Sequence, residues 1–391
     1  LMVGAGITMG LSFFQAALSM ILGYGVCVVM MILMSILAAD RGVPAVVSIS
    51  GAFGEIGAGK LVSFIIAFCF TCWFGFQAVV CGEAFAAIVQ SMGLPLPGVV
   101  STIIWGFIMT ITAVYGFNWI EKLNIVAVPA LIVILVYAMV VVFKDPTSVT
   151  AIQSHNPMPQ ASMVTAVGTA IGGFASGAAL SGDVTRYCKS RKDVIISSIV
   201  GVLPVGVGTM LAGAILAIHS GAIGMDTGSI VTMLSSVGSP ILGLLVLVLA
   251  TWTTNVSNAY SSGFALLSLT NAKDNKRPVF VFVAGIAGTL LAVLGITNYF
   301  NAFLNILAVF IPPIIGVVAI DYFILRIGDP KKWRSMPGIN WAGVISWGIG
   351  SVVAILLPGF FIPTLNAIII SCVLYLLLYH LFYKNRKEDA V

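Results

Sequence analysis

Inside the apolar sequence, the most polar run is Ala250-Thr251-Trp252-Thr253-Thr254-Asn255-Val256-Ser257-Asn258. On a helix, a carbonyl and hydroxyls three and four residues later project to one side, and Ala250, Thr253 and Thr254 have that spacing. A cluster of neutral oxygens suits a hard monovalent cation. Asn258 lies four beyond Thr254, so an amide adjoins the oxygens. Trp73 and Gln77 are also four apart, in Trp73-Phe74-Gly75-Phe76-Gln77. They set a flat aromatic surface beside an amide that offers two donors and an acceptor. Together they fit a planar polar heterocycle. Singly, each has a plainer explanation: a Gln bonding a neighbouring helix, a Trp in a core, a Thr bonding back to its own helix.

Two glycine-serine clusters interrupt apolar segments: Gly10-Leu11-Ser12-Phe13-Phe14 and Gly172-Gly173-Phe174-Ala175-Ser176-Gly177. Glycine inside a helix costs about 1 kcal/mol relative to Ala. Backbone groups freed by a break are tolerated at membrane depth only where they line a cavity. The clusters fall at equivalent places in two halves of the chain, and matched interruptions point to a midplane binding site. Close helix packing without any break is the competing explanation.

The elements that must hold these residues follow from composition. Of 391 residues, 60% are apolar and 8% charged, with mean hydropathy +1.12; soluble domains carry about 25% charge. Continuous rather than alternating apolar runs argue for helices over a barrel. Twelve spans are expected: 1–22, 23–39, 61–91, 98–117, 123–143, 161–182, 193–218, 238–266, 278–297, 301–325, 340–358 and 362–383. Of the 18 basic residues, all but Lys144 fall in loops on one side, which places both termini in the cytoplasm. Phe14 to Asp40 is a short stretch in which to finish one span, turn and recross, so either the second helix is short or an external loop is absent. The six cysteines sit almost entirely in apolar runs and are expected in the core. The net charge of +5 reflects membrane topology, not nucleic-acid binding. The opening has no basic head before its apolar run, so no cleavable signal peptide is expected.

Trp252-Thr253-Thr254-Asn255, Ser181-Gly182-Asp183-Val184-Thr185-Arg186-Tyr187, and Ile311-Pro312-Pro313 with Asp321-Tyr322 resemble the cytosine permease branch of the nucleobase–cation symporter family. The similarity runs in the same order over nearly the whole chain. It implies an all-α polytopic protein with 12 transmembrane helices in a leucine-transporter-type 5+5 inverted repeat, helices 1 and 6 broken. Residues 1–143 would form the first repeat, 144–326 the second, and 327–391 two further helices and a cytoplasmic tail. The resemblance stacks the ligand between Trp73 and Phe174, with polar contacts from Gln77, the Gly173 backbone, Ser176, Asn255 and Asn258. It assigns sodium to the carbonyls of Gly10, Phe13 and Ala250 and the hydroxyls of Thr253 and Thr254. Phe70 stands where cytosine permeases carry an amide, and Gln77 is instead similar to the hydantoin-transporting branch.

The expectation is therefore a symporter in the inner membrane that imports a nucleobase, cytosine first, with Na+ as the coupling ion. Its partners would be that small molecule and the lipid bilayer, with no nucleic acid. The alternatives are proton coupling through Glu83 or another ring: a hydroxymethylpyrimidine, hydantoin, allantoin or purine. Intramembrane acids are functional candidates by default, although Glu83 could simply face an external vestibule. Asp183 and Arg186, three apart, are expected to pair, and Asp321 to sit near an inner helix end. His155 and His219 read as external loop residues. No HExxH or Gly-x-Gly-Asp motif marks an enzyme, and no filter repeat marks a channel.

Overall fold

The computed structural model describes residues 1–115, 117–158, 161–236, 240–357 and 362–383. The basic tail expected at Lys384, Arg386 and Lys387 lies outside them. The described residues are helical, from α1 (Met2–Ile7) to α17 (Pro363–Tyr383), joined by short loops. Among the described residues, seven helices are long and apolar enough to cross a bilayer, eight when the pair Met163–Gly172 and Ala175–Thr185, bent by 42°, is taken as one span. That pair (α8, and α9 Ala175–Leu180 with α10 Gly182–Thr185) is the second expected interruption.

The first interruption differs from expectation. Residues 8–12 separate α1 from α2, but α2 then runs unbroken from Phe13 to Arg41, 29 residues. At 1.5 Å per residue this is about 43 Å, more than the roughly 30 Å hydrocarbon core. The interruption therefore precedes a helix long enough to cross the core by itself, and the boundary expected between residues 22 and 23 does not exist. Gly23 stands at that expected boundary. It is a packing glycine: a Cβ there would lie 2.5 Å from Ala170 Cβ.

By internal contacts the chain forms two compact units, interleaved in sequence. The first contains Leu1–Ala17, Ser63–Ser162 and Gly208–Asn301. Its core joins α4 (Ser63–Ser91), α5 (Gly98–Val114), α13 (Pro240–Thr270) and α14 (Arg277–Val293) around buried Phe74, Met109, Val256 and Val281. Glycines face threonines there: a Cβ on Gly106 would strike Thr289, and one on Gly285 would strike Thr110. Such small-residue contacts let backbones approach where lipid gives no hydrophobic drive to associate.

The second unit contains Leu18–Val62, Met163–Val207 and Ala302–Val391. In it lie most of α2, α3 (Ala45–Phe53), α8 to α10, the first half of α11 (Arg191–Ser220), α15 (Phe300–Ala319) from Ala302 onward, and α16 (Trp341–Leu356) with α17. Single turns of π-helix precede α4 (Gly57–Val62) and follow α15 (Ile320–Leu325). Asn340 caps α16, its side chain accepting from the Gly343 N–H.

Candidate functional site

In the first unit, α4 and α13 are joined along a seam with a seven-residue period. Cys81 Sγ donates to the Val248 carbonyl at 3.8 Å. Asn255 Nδ2 donates to the Phe74 carbonyl at 3.0 Å and to Met109 Sδ at 3.2 Å. Ser262 Oγ bonds the Ala67 carbonyl at 2.9 Å and meets Thr71 Oγ1 at 2.8 Å. Positions 248, 255 and 262 thus answer 81, 74 and 67 on the antiparallel neighbour. Sequence reasoning missed this seam, although the period was its available signal.

The seam separates two residues that the sequence left equivalent. Asn255 is fully buried and spends its amide on α4 and α5. Asn258 donates to Asn255 Oδ1 at 3.2 Å, which leaves its own Oδ1 and second N–H. On α4, Gln77 is half-buried and has no hydrogen-bond partner among the described residues. Trp73 is half-buried too, and meets Phe76 and Phe300 nearly at right angles, centroids 6.3 and 5.9 Å away. Both contacts are edge-to-face.

Thr253 Oγ1 and Thr254 Oγ1 both donate to the Ala250 carbonyl at 2.9 Å. This is the bonding of threonines back to their own helix, and it brings the Ala250 carbonyl and the two hydroxyl oxygens together on α13. Gly10 and Phe13 are placed differently. The Gly10 carbonyl accepts from the Ala161 N–H at 2.6 Å, and Phe13 opens α2.

Glu83 lines an open cavity of about 240 Å³ with Ala86, Ala87, Gln90, Gly98, Gly228 and Val231. It has no ion pair among the described residues. His219 Nδ1 lies 2.6 Å from Ser148 Oγ, which donates to Asp145 at 2.5 Å. Hydrogen bonds from Ser148 and Thr147 hold the exposed Asp145 carboxyl at about 2. His155 Nε2 meets the Thr8 carbonyl at 2.9 Å. The two histidines therefore fasten the ends of α7 (Pro146–Ser154).

In the second unit, Gly173 and Phe174 form the corner between α8 and α9. Phe174 adopts φ −133° and ψ 0°, and Ser176 is buried just beyond. The Phe174 ring is half-buried and stacks on Tyr24, centroids 5.4 Å apart and planes 22° inclined. Tyr24 was not foreseen.

Charges gather at helix ends in this unit. Arg191 forks onto Asp40, Nε to Oδ1 at 3.1 Å and Nη2 to Oδ2 at 2.6 Å, and also donates to the Gly328 carbonyl at 2.6 Å. Tyr322 donates to the same Asp40 at 2.5 Å. Asp321, 1% exposed, accepts from Tyr375 at 2.9 Å, with Arg326 3.8 Å away. The expected Asp183–Arg186 pair does not form. Asp183 instead accepts from the Ala45 N–H at 2.8 Å, at the start of α3, and Arg186 lies over the Tyr187 ring at 4.8 Å. A helix-start amide without an intrahelical partner is a better use of the carboxylate than a flexible neighbour.

A family model described as a permease for cytosine/purines, uracil, thiamine and allantoin matches residues 1–378. The cytosine permease of Escherichia coli (strain K12) is 27% identical over 286 residues, 73% of this chain and 65% of that protein. The hydantoin permease of Microbacterium maritypicum is 26% identical over 326 residues, 73% of this chain and 63% of that protein. The chain thus spans a little under two thirds of these curated relatives. A structure of Mhp1, a nucleobase-cation-symport-1 family transporter in a closed conformation with bromovinylhydantoin bound, superposes with a TM-score of 0.81 at 21% identity. The match covers 98% of this chain and 89% of that one, and gives the leucine-transporter-type helical fold expected from sequence.

Proposed function

Because the chain belongs to the family of permeases for cytosine/purines, uracil, thiamine and allantoin, we propose that it is a sodium-coupled importer of a planar nucleobase, cytosine first. The observation that carries this reading is the first unit's placement of the Gln77 amide and the Trp73 indole four residues apart on α4, the helix to which the helix of the α13 oxygen trio is sewn. Gln77 can answer a donor and an acceptor on one ring edge. Asn258 rather than Asn255 supplies the α13 amide, since Asn255 is spent on α4 and α5. In the second unit, Gly173, Phe174 and Ser176 at the corner of the broken span are the further ligand-contacting residues proposed from the family resemblance.

Ala250, Thr253 and Thr254 hold the ion. Gly10 and Phe13 remain the other proposed carbonyl ligands, and Gly10 would have to leave Ala161 to serve. A neutral substrate needs a driven partner, and one charge crossing 100 mV supplies about 2.3 kcal/mol. Residues 1–143 and 144–326 are proposed as the inverted repeats, in an inner membrane with both termini cytoplasmic.

A thermal-shift panel of nucleobases with and without sodium tests the reading. Stacking is worth about 1–3 kcal/mol per base, so Trp73→Ala should weaken binding roughly 5- to 150-fold. Thr254→Ala should raise the sodium concentration for half-maximal binding and leave stacking intact. Because linkage is reciprocal, substrate must tighten sodium by the factor that sodium tightens substrate. Equal binding in sodium-free buffer, with uptake abolished by a protonophore, would favour the second reading, proton coupling. That reading draws on Glu83, the carboxylate without an ion pair that lines the 240 Å³ cavity.

A further inference from the structure

Phe174 is backed by a built support. Tyr24 of α2 lies against one face of its ring, 5.4 Å between centroids and 22° between planes. Two glycines make the room. A Cβ on Gly206 of α11 would overlap the Tyr24 ring, and one on Gly177 would lie 2.7 Å from Phe174 Cε2. The same stretch of α2 is fastened to α8 just before the corner. Gly23 packs against Ala170, and Cys27 Sγ donates to the Ile171 carbonyl at 3.4 Å. The pile Gly206–Tyr24–Phe174 therefore lies within one compact unit, and its base is anchored at both sides.

A lone phenyl ring at a helix corner can tilt to suit its ligand. Tyr24 stacks on one face of Phe174 and Gly177 comes close to its Cε2, which holds the ring in one orientation, and the face away from Tyr24 is the one that would meet the ligand. We propose that Tyr24 is a positioning residue that fixes Phe174 as a one-sided flat platform, making the site prefer planar aromatic rings over their puckered 5,6-dihydro counterparts. The inference rests on the reading that Phe174 contacts the ligand. Its physical basis is the geometry of stacking. Saturating C5 and C6 puts hydrogens out of the ring plane, and a rigid platform cannot lean away from them, whereas a swivelling one can.

The test is competition by uracil and by 5,6-dihydrouracil against labelled cytosine in sodium-loaded proteoliposomes. The wild type is expected to favour uracil. Tyr24→Leu should narrow that preference by about 3- to 10-fold, in the range of a single aromatic pair, and raise KM while kcat stays within about twofold. Tyr24→Phe, which keeps the ring, should restore the wild-type ratio. Gly206→Ala displaces the ring without deleting it and should narrow the ratio as Tyr24→Leu does, which covers the case that the leucine variant folds poorly. A wild type indifferent to ring saturation, an unchanged ratio in both Tyr24→Leu and Gly206→Ala, or a Tyr24→Phe variant that behaves like the leucine one would overturn the proposal. Wild-type affinity in Phe174→Ala is a separate result: it would remove Phe174 from the ligand site and with it the premise.

Discussion

The seam between α4 and α13 in the first unit and the clusters around Asp40 and Asp321 in the second tie helices together with opposite chemistry. The seam uses a thiol, an amide and hydroxyls, and carries no formal charge. The clusters use two aspartates, two arginines and two tyrosines. Position along the helix accounts for the difference. The seam runs through the middle of both helices, where a charged side chain costs about 2.5–3.5 kcal/mol on insertion scales. Asp40 is in the last turn of α2, Arg191 is the first residue of α11, and Asp321 is in the terminal π turn after α15. At such ends water and the Gly328 carbonyl share the cost of the charge at Arg191, and Tyr375 and Arg326 meet the buried Asp321. Neutral glue at mid-span and ionic glue at the ends is therefore one rule applied at two depths. Along α4 itself, residues 63–82 around Trp73 and Gln77 carry no charged side chain, as suits a neutral ligand.

The comparison can be broken first at Asp321. Asp321→Ala removes the acceptor of the Tyr375 O–H, which keeps only the bond it accepts from Asn340, and leaves Arg326 without its anion. Removing one member of a buried pair costs about 3–5 kcal/mol, so unfolding in detergent should show a loss near the lower figure, because the ion contact is long. Asp321→Asn keeps an acceptor for Tyr375 and should recover part of the loss.

Asn255→Ala should cost less, about 1–2 kcal/mol, because every group it abandons is neutral. It should also weaken nucleobase binding, since Asn255 holds the Phe74 carbonyl next to Trp73. Asp321→Ala should leave that binding unchanged in the protein that remains folded. Equal binding losses in the two variants would dissolve the distinction between the regions.

Arg191→Lys replaces a fork by a point charge. At a half-exposed site the expected loss is about 1 kcal/mol or less, shrinking further at about 1 M salt, where the Debye length is about 3 Å. Ser262→Ala should cost about 0.6 kcal/mol, the average for a hydrogen bond between membrane helices, and its effect should not depend on salt. A salt-sensitive Ser262 effect or a salt-insensitive Arg191 effect, read from melting curves at two ionic strengths, would contradict the assignment of neutral and ionic glue.

What the sequence conveyed well was local. Trp73 with Gln77, and Ala250 with Thr253 and Thr254, share helix faces because a helix fixes which neighbours three and four apart meet. The structure keeps both sets on continuous helices. The second interruption was legible for the same reason, as Gly172-Gly173 interrupts a run whose composition is otherwise helical. Glycine was also the source of the clearest misreading. The span boundary expected between residues 22 and 23 falls at Gly23, whose missing Cβ is used for close approach to Ala170 inside an unbroken helix. One residue type serves both ends, and only the neighbouring helix tells them apart.

By itself, then, the sequence determined that this is a helical membrane chain, where its basic loops fall, and which polar side chains share a face at mid-span. These follow from composition and from the 3.6-residue turn, both properties of short stretches. The tertiary structure alone decided that Asn255 is spent on Phe74 and Met109, 181 and 146 residues away, and that Asp183 serves Ala45 rather than Arg186. It alone set Tyr24 behind Phe174. A hydrogen-bonding side chain in a membrane takes the best partner within reach, and what is within reach is settled by helices packing across long separations in the chain.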